Sequence, residues 1–370
     1  MKLIVFLLLS VLCSLSSTAQ MTFSISGTIE NSRGEKVPSV TVFIDGTSRA
    51  AQTDADGKYE LANLSPGNLT VVTSRLGYVS ERKPLLFSSQ TSAGPVNRAV
   101  TLNFTLQDKS IVLDEVKIGD GSGRAEMLRL FNNRFLGFTE NGLSCKILNT
   151  QVLELSTIRT VLVANSSDFM IIENKNLGYR IKYLLKRFTF NSSSFITNYD
   201  GDCIFEELPG SKRNRQQWAK NRKKVYDSSF MRYLRCLYDG TLSQTKFKTL
   251  EFADDPGAVN GRTVKKEVVD MRKYVSRVDS TFVKFAVNGK FFVMYGDRVD
   301  LVMAKVNAGT LPDWEFFSKH KVTRSEFNLY LDHTFIDKGG RYLDYRSFLL
   351  DGYWGGRQIG DRLPFSYVPE

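Results

Sequence analysis

The feature that most constrains this chain is a series of short strand patterns between residues 21 and 106, separated by turn-forming residues. In the first pattern Phe23 and Ile25 alternate with polar residues, and a period of two buries one face of a sheet. Similar β-rich runs recur at residues 40–44 and 69–76. Asn, Asp and Gly between the runs favour turns, because Asn and Asp bond their own backbone and Gly accepts a positive φ. The region therefore predicts a compact β-sandwich.

Three motifs in this region, SISGTIENSRGEKVPSVTVFIDGT, TDADGKYEL and LGY, resemble the carboxypeptidase regulatory-like domain family. The resemblance implies a seven-stranded transthyretin-like sandwich over residues 20–106. In that family the domain is a module attached to an enzyme, a receptor or an adhesin, and it is not itself catalytic. Gly34 and Gly57 stand at turns and Val40 and Tyr59 at core positions, as such a module requires. We expect scaffolding and contact from this domain.

The DxDG turn of the sandwich also begins calcium-binding EF-hand loops, so it needs a separate test. Counting from Asp54, the sixth position holds Tyr59 where a Gly is needed, and the twelfth holds Ser65 where a bidentate Glu is needed. Asp54 and Asp56 are therefore predicted to build a structural turn.

The first 19 residues have the charged start and apolar middle of a signal peptide. Ser17 and Ala19 are small residues at the positions that signal peptidase reads before a cut at Gln20. Serines interrupt the apolar run too early for a retained membrane anchor, which needs roughly 20 apolar residues. We predict a leader at residues 1–19 and a protein exported to the periplasm or to the periplasmic face of the outer membrane.

Cysteine and histidine usage argues against metal chemistry. Cys145, Cys203 and Cys236 remain after the leader, an odd number that permits at most one internal disulfide, and their spacings match no zinc module. We favour buried, unreactive thiols. The chain has two histidines, His320 and His333, and neither begins an HExxH or HxxE pair, so the zinc site of carboxypeptidases cannot be assembled. No metal or cofactor is predicted.

Other catalytic constellations are equally weak. The chain contains no GxSxG nucleophile motif. The neighbours Glu206 and Glu207 are adjacent strand residues that face opposite ways, and Asp313 with Glu315 is explained by carboxylates that solvate strand ends. We name no catalytic residue and predict a protein that is not an enzyme. The alternative that stays open is an envelope hydrolase with an unrecognised site in the C-terminal part.

Much of the formal net charge of +11 comes from one segment without acidic residues. Such a run attracts polyanions, and export removes nucleic acid as a partner, which leaves anionic lipid, lipopolysaccharide or another anionic glycan, or an acidic protein face. A solvated helix face is the alternative. The candidate polyanion-binding residues are Lys212, Arg213, Arg215, Lys220, Arg222, Lys223 and Lys224.

Residues 107–123 are predicted to be a connector that ends in the flexible sequence GDGSG. Within it, LDEVKIG resembles the connector that joins the same sandwich to the plug of TonB-dependent outer-membrane receptors. The chain that follows is too short for a plug and transport barrel. The resemblance therefore suggests such a receptor as a partner of this protein and not as its identity.

Residues 124–370 are predicted to form a larger α+β domain with an antiparallel sheet and a helical insertion. We expect a helix at residues 125–136, a bulged strand at 178–190, and helices within 209–240 that carry the basic run and an aromatic stripe. Several patches, among them FLGFTEN and WAKNRKKVY, resemble an uncharacterised C-terminal region that accompanies this sandwich in other envelope proteins. No activity comes with that resemblance.

The last third reads as strands at residues 268–278, 282–287, 290–295 and 299–302. Asn288-Gly289 between two of them predicts a hairpin turn. No stretch after the leader is long and apolar enough for a transmembrane helix, so we expect a mature chain without a membrane span.

Overall fold

The computed structural model describes residues 22–88, 99–109, 121–255, 262–342, 344 and 347–369. These described residues are mostly β, with 43% strand and 24% helix. The predicted leader and residues 110–120 of the predicted connector lie outside the described residues. No helix within the described ranges is long and apolar enough to cross a membrane.

The N-terminal part is a sandwich of two sheets. Its strand segments are β1 (Phe23–Asn31), β2 (Thr41–Ile44), β3 (Ala50–Gln52), β4 (Lys58–Leu64), β5 (Gly67–Ser74), β6 (Arg82–Phe87), β7 (Ala99–Thr101) and β8 (Phe104–Leu106). One sheet has the order β4-β1-β7, with β8 also paired to β1, and the other has the order β3-β2-β5-β6.

β7 and β8 both run parallel to β1 with an interruption between them, so the described part of the sandwich has eight strand segments. The interruption falls at Leu102, whose N–H donates to the Ser26 carbonyl at 2.8 Å. Gly27 permits this close approach, because a Cβ there would come within 2.0 Å of the Leu102 carbonyl oxygen.

The core of the sandwich confirms the predicted alternation, since Phe23, Ile25 and Ile29 are all buried. The DxDG segment is a turn, as predicted. Asp54 Oδ1 accepts hydrogen bonds from the N–H groups of Asp56 (3.0 Å) and Lys58 (2.8 Å), which is how an Asx turn is closed.

The first sheet of the C-terminal part is antiparallel and six-stranded. It has the order β10-β11-β13-β12-β9, with β14 paired to β13. Its strands are β9 (Cys145–Ile147), β10 (Leu153–Ile158), β11 (Val161–Ser166), β12 (Met170–Asn174), β13 (Tyr179–Asn191) and β14 (Ile196–Glu207). The predicted bulge in β13 is confirmed by a register shift between Leu185 and Arg187.

Helix α1 (Gly121–Leu136) packs on this sheet and is followed by the short α2 (Glu140–Leu143). The rings of Phe131 and Phe135 lie 4.8 and 5.1 Å from those of Phe188 and Tyr183, respectively. α1 begins four residues before its predicted start, so the last residues of the predicted connector 107–123 are helical.

Two helices, α3 (Lys212–Asp227) and α4 (Phe230–Asp239), lead into the second half of this part. There a five-stranded sheet has the order β16-β15-β19-β20-β22 and a three-stranded sheet the order β17-β18-β21, and neighbouring strands in both are antiparallel. The remaining elements are β15 (Phe247–Asp254), β16 (Arg262–Val268), β17 (Val275–Arg277), β18 (Phe282–Phe285), β19 (Lys290–Tyr295), α5 (Val299–Asn307), α6 (Trp314–Lys319), β20 (Thr323–Leu329), β21 (Thr334–Asp337), β22 (Phe348–Asp351) and α7 (Gly352–Gly355).

Three local predictions in this half were wrong. Asn288-Gly289 does not close a hairpin, because it joins β18 and β19, which belong to different sheets. The expected strand at 268–278 is interrupted by a 3-10 turn at Met271–Tyr274. The expected strand at 299–302 is the start of helix α5. Its buried residues Val299, Val302 and Val306 have helical spacing, and packing on that face overrides the strand preference of valine.

Candidate functional site

The basic segment folds as helix α3, which begins after Ser211. The Ser211 hydroxyl oxygen accepts a hydrogen bond from the Asn214 N–H at 3.2 Å, a standard way to satisfy the first turn. The first turn of α3 contains no acidic residue. The sequence therefore supplies a normal N-cap but no carboxylate to offset the cations that follow.

Trp218 anchors α3 to the body of the protein. Its indole N–H donates to the Lys175 carbonyl at 2.9 Å, and its ring is buried. The ring fits between Gly178 and Gly210, where a Cβ would come within 2.1 and 2.3 Å of it. Only glycine leaves room for the indole at these two positions, so the surface under α3 has a space that fits Trp218.

Arg222 lies on the same inner face as Trp218, one turn further along. Its guanidinium lies 3.8 Å from the centre of the Tyr179 ring, donates to the Leu177 carbonyl at 2.7 Å and pairs with Glu207 at 2.7 Å. The side chain is 11% exposed. Although it was one of the predicted polyanion-binding residues, Arg222 is already engaged in holding the helix.

Three other predicted cations have local partners at the surface. Lys223 pairs with Asp227 at 3.0 Å, Lys224 lies 3.9 Å from Glu140, and Arg215 donates to the Gly210 carbonyl at 2.8 Å. Exposed ion pairs of this kind contribute little stability and exchange readily with solvent. These side chains remain available to a stronger anion.

The remaining three, Lys212, Arg213 and Lys220, are exposed, and within the described ranges no ion pair involves them. Arg213, Lys220 and Lys224 stand at i, i+7 and i+11, which places them on one stripe of the helix. The buried Trp218 and Tyr226 face the opposite side. α3 thus presents a cationic outer stripe, called the basic stripe below and defined as Arg213, Lys220 and Lys224, with Lys212 at its N-terminal edge.

A cleft of about 610 Å³ runs along the side of α3, between the end of β14, the sandwich at Ser48 and the residues around Tyr367. Glu206 and Glu207 line it, but they do not form an acid–base pair. Glu206 pairs with Lys182 at 2.5 Å, and Glu207 pairs with Arg222. The two carboxylates therefore have separate structural partners.

The thiols and imidazoles are also in structural settings. Burial raises the pKa of Cys145 and of Cys203 to about 12 and raises that of Cys236, so all three are protonated at neutral pH and poor nucleophiles. All three are free thiols. The imidazoles of His320 and His333 pack on the rings of Phe316 and Phe335.

Asp313 caps helix α6 by accepting from the Phe316 N–H at 2.9 Å, so it serves a helix start and not the strand end that was expected. Among the described residues, no group of three or more His, Cys, Asp or Glu side chains could hold a metal ion.

The sequence did not predict the interface between the sandwich and the C-terminal part of the chain, residues 121–369, which is called the body below. One contact of this interface joins the Asp45-Gly46 turn of the sandwich to β14. The Cys203 N–H donates to Asp45 Oδ1 at 2.8 Å, and the Gly46 N–H donates to the Cys203 carbonyl at 2.9 Å. The Phe365 N–H donates to the Gly46 carbonyl at 2.9 Å. Backbone hydrogen bonds therefore join the two parts directly.

The outer face of the sandwich is apolar where the body covers it. Phe43 is fully buried and packs with Val72, Ile204 and Phe169, the two phenyl rings lying 5.6 Å apart. The sequence carries a signal for this, because residues 42–44 and 71–72 are apolar on consecutive positions. Uninterrupted apolar runs indicate a strand buried on both faces.

A buried carboxylate lies at the same interface. Asp202 is fully buried between Arg82 of the sandwich and Lys186 of β13, each with a nitrogen 2.9 Å from its carboxylate. Burial, with the nearby charge of Asp45, raises the pKa of Asp202, while Lys186 and Arg82 act in the opposite direction. The cation from the sandwich thus compensates a charge that the body buries.

Residues 25–118 match the family model described as CarboxypepD_reg-like domain. The N-terminal part of the chain is therefore a domain of this kind, as the sequence motifs indicated, and the match runs past the predicted boundary at residue 106. The domain is a non-catalytic fold. No curated protein matches the chain.

Solved structures share only distant similarity with the chain. A cohesin–X-dockerin complex from Acetivibrio cellulolyticus is 20% identical with a TM-score of 0.18, over 23% of this chain and 58% of that one. A candidate carbohydrate-binding protein from Bacteroides uniformis ATCC 8492 is 11% identical with a TM-score of 0.17, over 50% of this chain and 77% of that one. A candidate membrane-associated protein of unknown function from Bacteroides fragilis NCTC 9343 is 10% identical with a TM-score of 0.19, over 44% and 64%. Similarity at this level assigns no function.

Proposed function

We propose that this chain is a non-catalytic binding protein of the cell envelope that holds a polyanion, such as an acidic or phosphorylated glycan, on the basic stripe of α3. The observation that carries the proposal is the set of exposed cations at Lys212, Arg213 and Lys220, which are without ion pairs among the described residues. A row of like charges on one helix face is a surface that an anionic polymer neutralises.

The position of the cations on the helix supports the same conclusion. Lys212 and Arg213 occupy the first turn of α3, where the helix dipole already places a partial positive charge. Cations there are unfavourable by about 0.3–1 kcal/mol each. An anion at this end relieves both the side-chain repulsion and the dipole, so binding is favoured beyond simple charge pairing.

The anchoring of α3 also supports binding. Trp218 and Arg222 hold the inner face against the body, so the outer cations project from a fixed scaffold. A site that is ordered before its ligand arrives loses less conformational entropy on binding.

The envelope location rests on the leader-like sequence of residues 1–19. Export removes nucleic acid from the set of polyanions and leaves glycans, lipid headgroups and acidic protein faces. The resemblance of residues 113–119 to a receptor connector supports a role beside TonB-dependent receptors, in outer-membrane transport or assembly.

A charge-reversal series tests the proposal, with heparin as the polyanion probe. The variant K212E/R213E/K220E is expected to lose at least about tenfold in affinity at low salt, since each Lys or Arg near an anionic surface contributes about 1 kcal/mol. The control K266E/K319E/K338E changes net charge equally, at exposed lysines elsewhere on the surface. Equal losses in the two variants would mean that net charge alone drives binding and would contradict the proposal.

A further inference from the structure

Two hairpin tips meet at one end of the six-stranded sheet. The register pairs Ile158 with Val161, Val161 with Asn191, and Asn191 with Ile196, so the β10–β11 and β13–β14 turns lie side by side. The Ser192 N–H donates to the Thr160 carbonyl at 2.9 Å and ties one tip to the other. The two turns form one surface.

Large apolar side chains project from this surface. Ile158, Phe195 and Ile196 are 63%, 68% and 56% exposed, and Phe138, just after α1, is 59% exposed. Phe195 has a φ of 57°, in the left-handed region that large residues rarely adopt. By the pairing register, Ile158 and Ile196 lie on the sheet face opposite Phe190, whereas Phe195 packs with Phe190 on the α1 side. Both faces of this end of the sheet therefore carry exposed apolar side chains, which indicates a binding surface.

A cation sits among these rings. The Arg134 guanidinium lies 4.3 Å from the centre of the Phe190 ring, 5.3 Å from that of Phe138 and 5.7 Å from that of Phe195. Its Nε is buried without a hydrogen-bond partner. Arg134 therefore carries a positive charge at an apolar surface, held by aromatic faces.

The two tips contain no carboxylate. The sequence has no Asp or Glu from Leu155 to Val163 or from Arg187 to Asn198, whereas Arg159 stands at the first tip. The surface thus combines apolar side chains with positive charge. That combination matches the interfacial region of a bilayer, where apolar groups enter the acyl boundary and cations meet lipid phosphates.

We propose that this end of the sheet, the hairpin-tip patch of Phe138, Ile158, Phe195 and Ile196 with Arg134 and Arg159, inserts into the headgroup region of a bilayer that contains anionic lipid. A second copy of the chain is a poorer occupant. A symmetric contact through the same patch would bring the arginines of one copy against those of the other, and like charges at an interface are costly.

The membrane proposal concerns a different surface from the polyanion proposal. α3 contacts the turn before β13, through Lys175 and Leu177, whereas the two hairpin tips lie at the far end of that strand. β13 has 13 residues, which at about 3.3 Å per residue separate the two ends by roughly 40 Å. The hairpin tips are therefore a surface separate from the contacts that hold α3.

The test is sedimentation of the mature chain with vesicles of phosphatidylcholine mixed with phosphatidylglycerol, and with vesicles of phosphatidylcholine alone. We expect binding, stronger to the mixture. F195S/I196S is expected to lower the partition coefficient by roughly tenfold or more, because two side chains no longer enter the apolar boundary. The control is Y330S/L331S, which removes apolar side chains that are 64% and 44% exposed at another turn, and it is expected to bind as the unmodified chain does.

A fluorescence arm separates this proposal from the one on α3. The emission of I196W is expected to shift to the blue on adding the mixed vesicles, and to do so also in the background K212E/R213E/K220E. F195S/I196S is expected to keep its heparin affinity. The proposal is overturned if F195S/I196S binds vesicles like the unmodified chain, or if the patch instead mediates concentration-dependent self-association without vesicle binding.

Discussion

Asp337 joins the sandwich to the body through a single carboxylate. It is fully buried, accepts the Asn68 N–H at 2.8 Å and the Arg341 Nε–H at 2.8 Å on Oδ2, and accepts the Arg341 N–H at 3.0 Å on Oδ1. Gly67 makes room for it, because a Cβ at that position would come within 2.3 Å of Oδ2. One residue thus fixes both the start of β5 and the end of β21.

We expect D337A to lower the free energy of unfolding by about 3–5 kcal/mol, because it leaves the Arg341 charge and the Asn68 N–H buried without their partner. Urea denaturation measures the change. D297A serves as the control, since Asp297 pairs with Lys246 at an exposed position and such pairs contribute little. Similar losses in the two variants would show that Asp337 has no special role at the interface.

At the scale of elements, the orientation of α3 depends on one tryptophan. The three tryptophans of the chain provide a matched comparison, since Trp218 is buried under α3 while Trp314, at the start of α6, is 71% exposed. Gly178 and Gly210, which contact the indole, have no side chain of their own that could fill the space if the indole is removed.

W218A is therefore expected to cost about 3–5 kcal/mol of unfolding free energy, the usual range for truncating a large buried aromatic side chain. W314A is expected to change it by less than about 0.5 kcal/mol, as surface substitutions do. Thermal and urea unfolding of both variants give the comparison. A small effect of W218A would mean that α3 is held by other contacts.

Several secondary-structure elements could be predicted from local sequence patterns, and others could not. The alternation at Phe23 and Ile25, the phase change in β13 and the helical spacing in α4 were sufficient to predict these elements, because each is determined by which local face is buried. Asn288-Gly289 misled, since a favourable turn dipeptide does not specify which strand becomes the partner. The strand predicted from Val299 and Val302 was wrong because the β preference of valine depends on packing, and here both side chains are buried on one face of a helix.

The candidate site was predictable only in part, for a similar reason. Helix α3 and its charge follow from local sequence, but the separation of Arg222 from the basic stripe depends on Tyr179 and Glu207, which are distant in the chain. The docking of Phe43 on Ile204 and Phe169 was missed because it depends on tertiary pairing.

At the scale of the whole molecule, the sandwich and the body are joined by an interface that contains several kinds of contact. The interface combines backbone hydrogen bonds at Gly46, the apolar contact of Phe43 and the buried charges around Asp202 and Asp337. When an interface is well packed and its buried polar groups have partners, the two domains that it joins tend to unfold together.

We expect a single unfolding transition in urea. Tryptophan fluorescence reports only the body, because Trp218, Trp314 and Trp354 all lie there, and hydrogen exchange of peptides from β2 and β5 reports the sandwich. The two probes are expected to give the same midpoint. A sandwich that unfolds at a clearly different urea concentration would show that the two parts are independent.

Polyanion binding by the basic stripe is tested most directly by mapping lysine acylation by mass spectrometry with and without heparin. We expect heparin to slow the labelling of Lys212, Lys220 and Lys224, while the labelling of Lys266, Lys319 and Lys338 stays unchanged. Uniform protection of all six lysines, or protection that spares α3, would contradict a polyanion site on this helix.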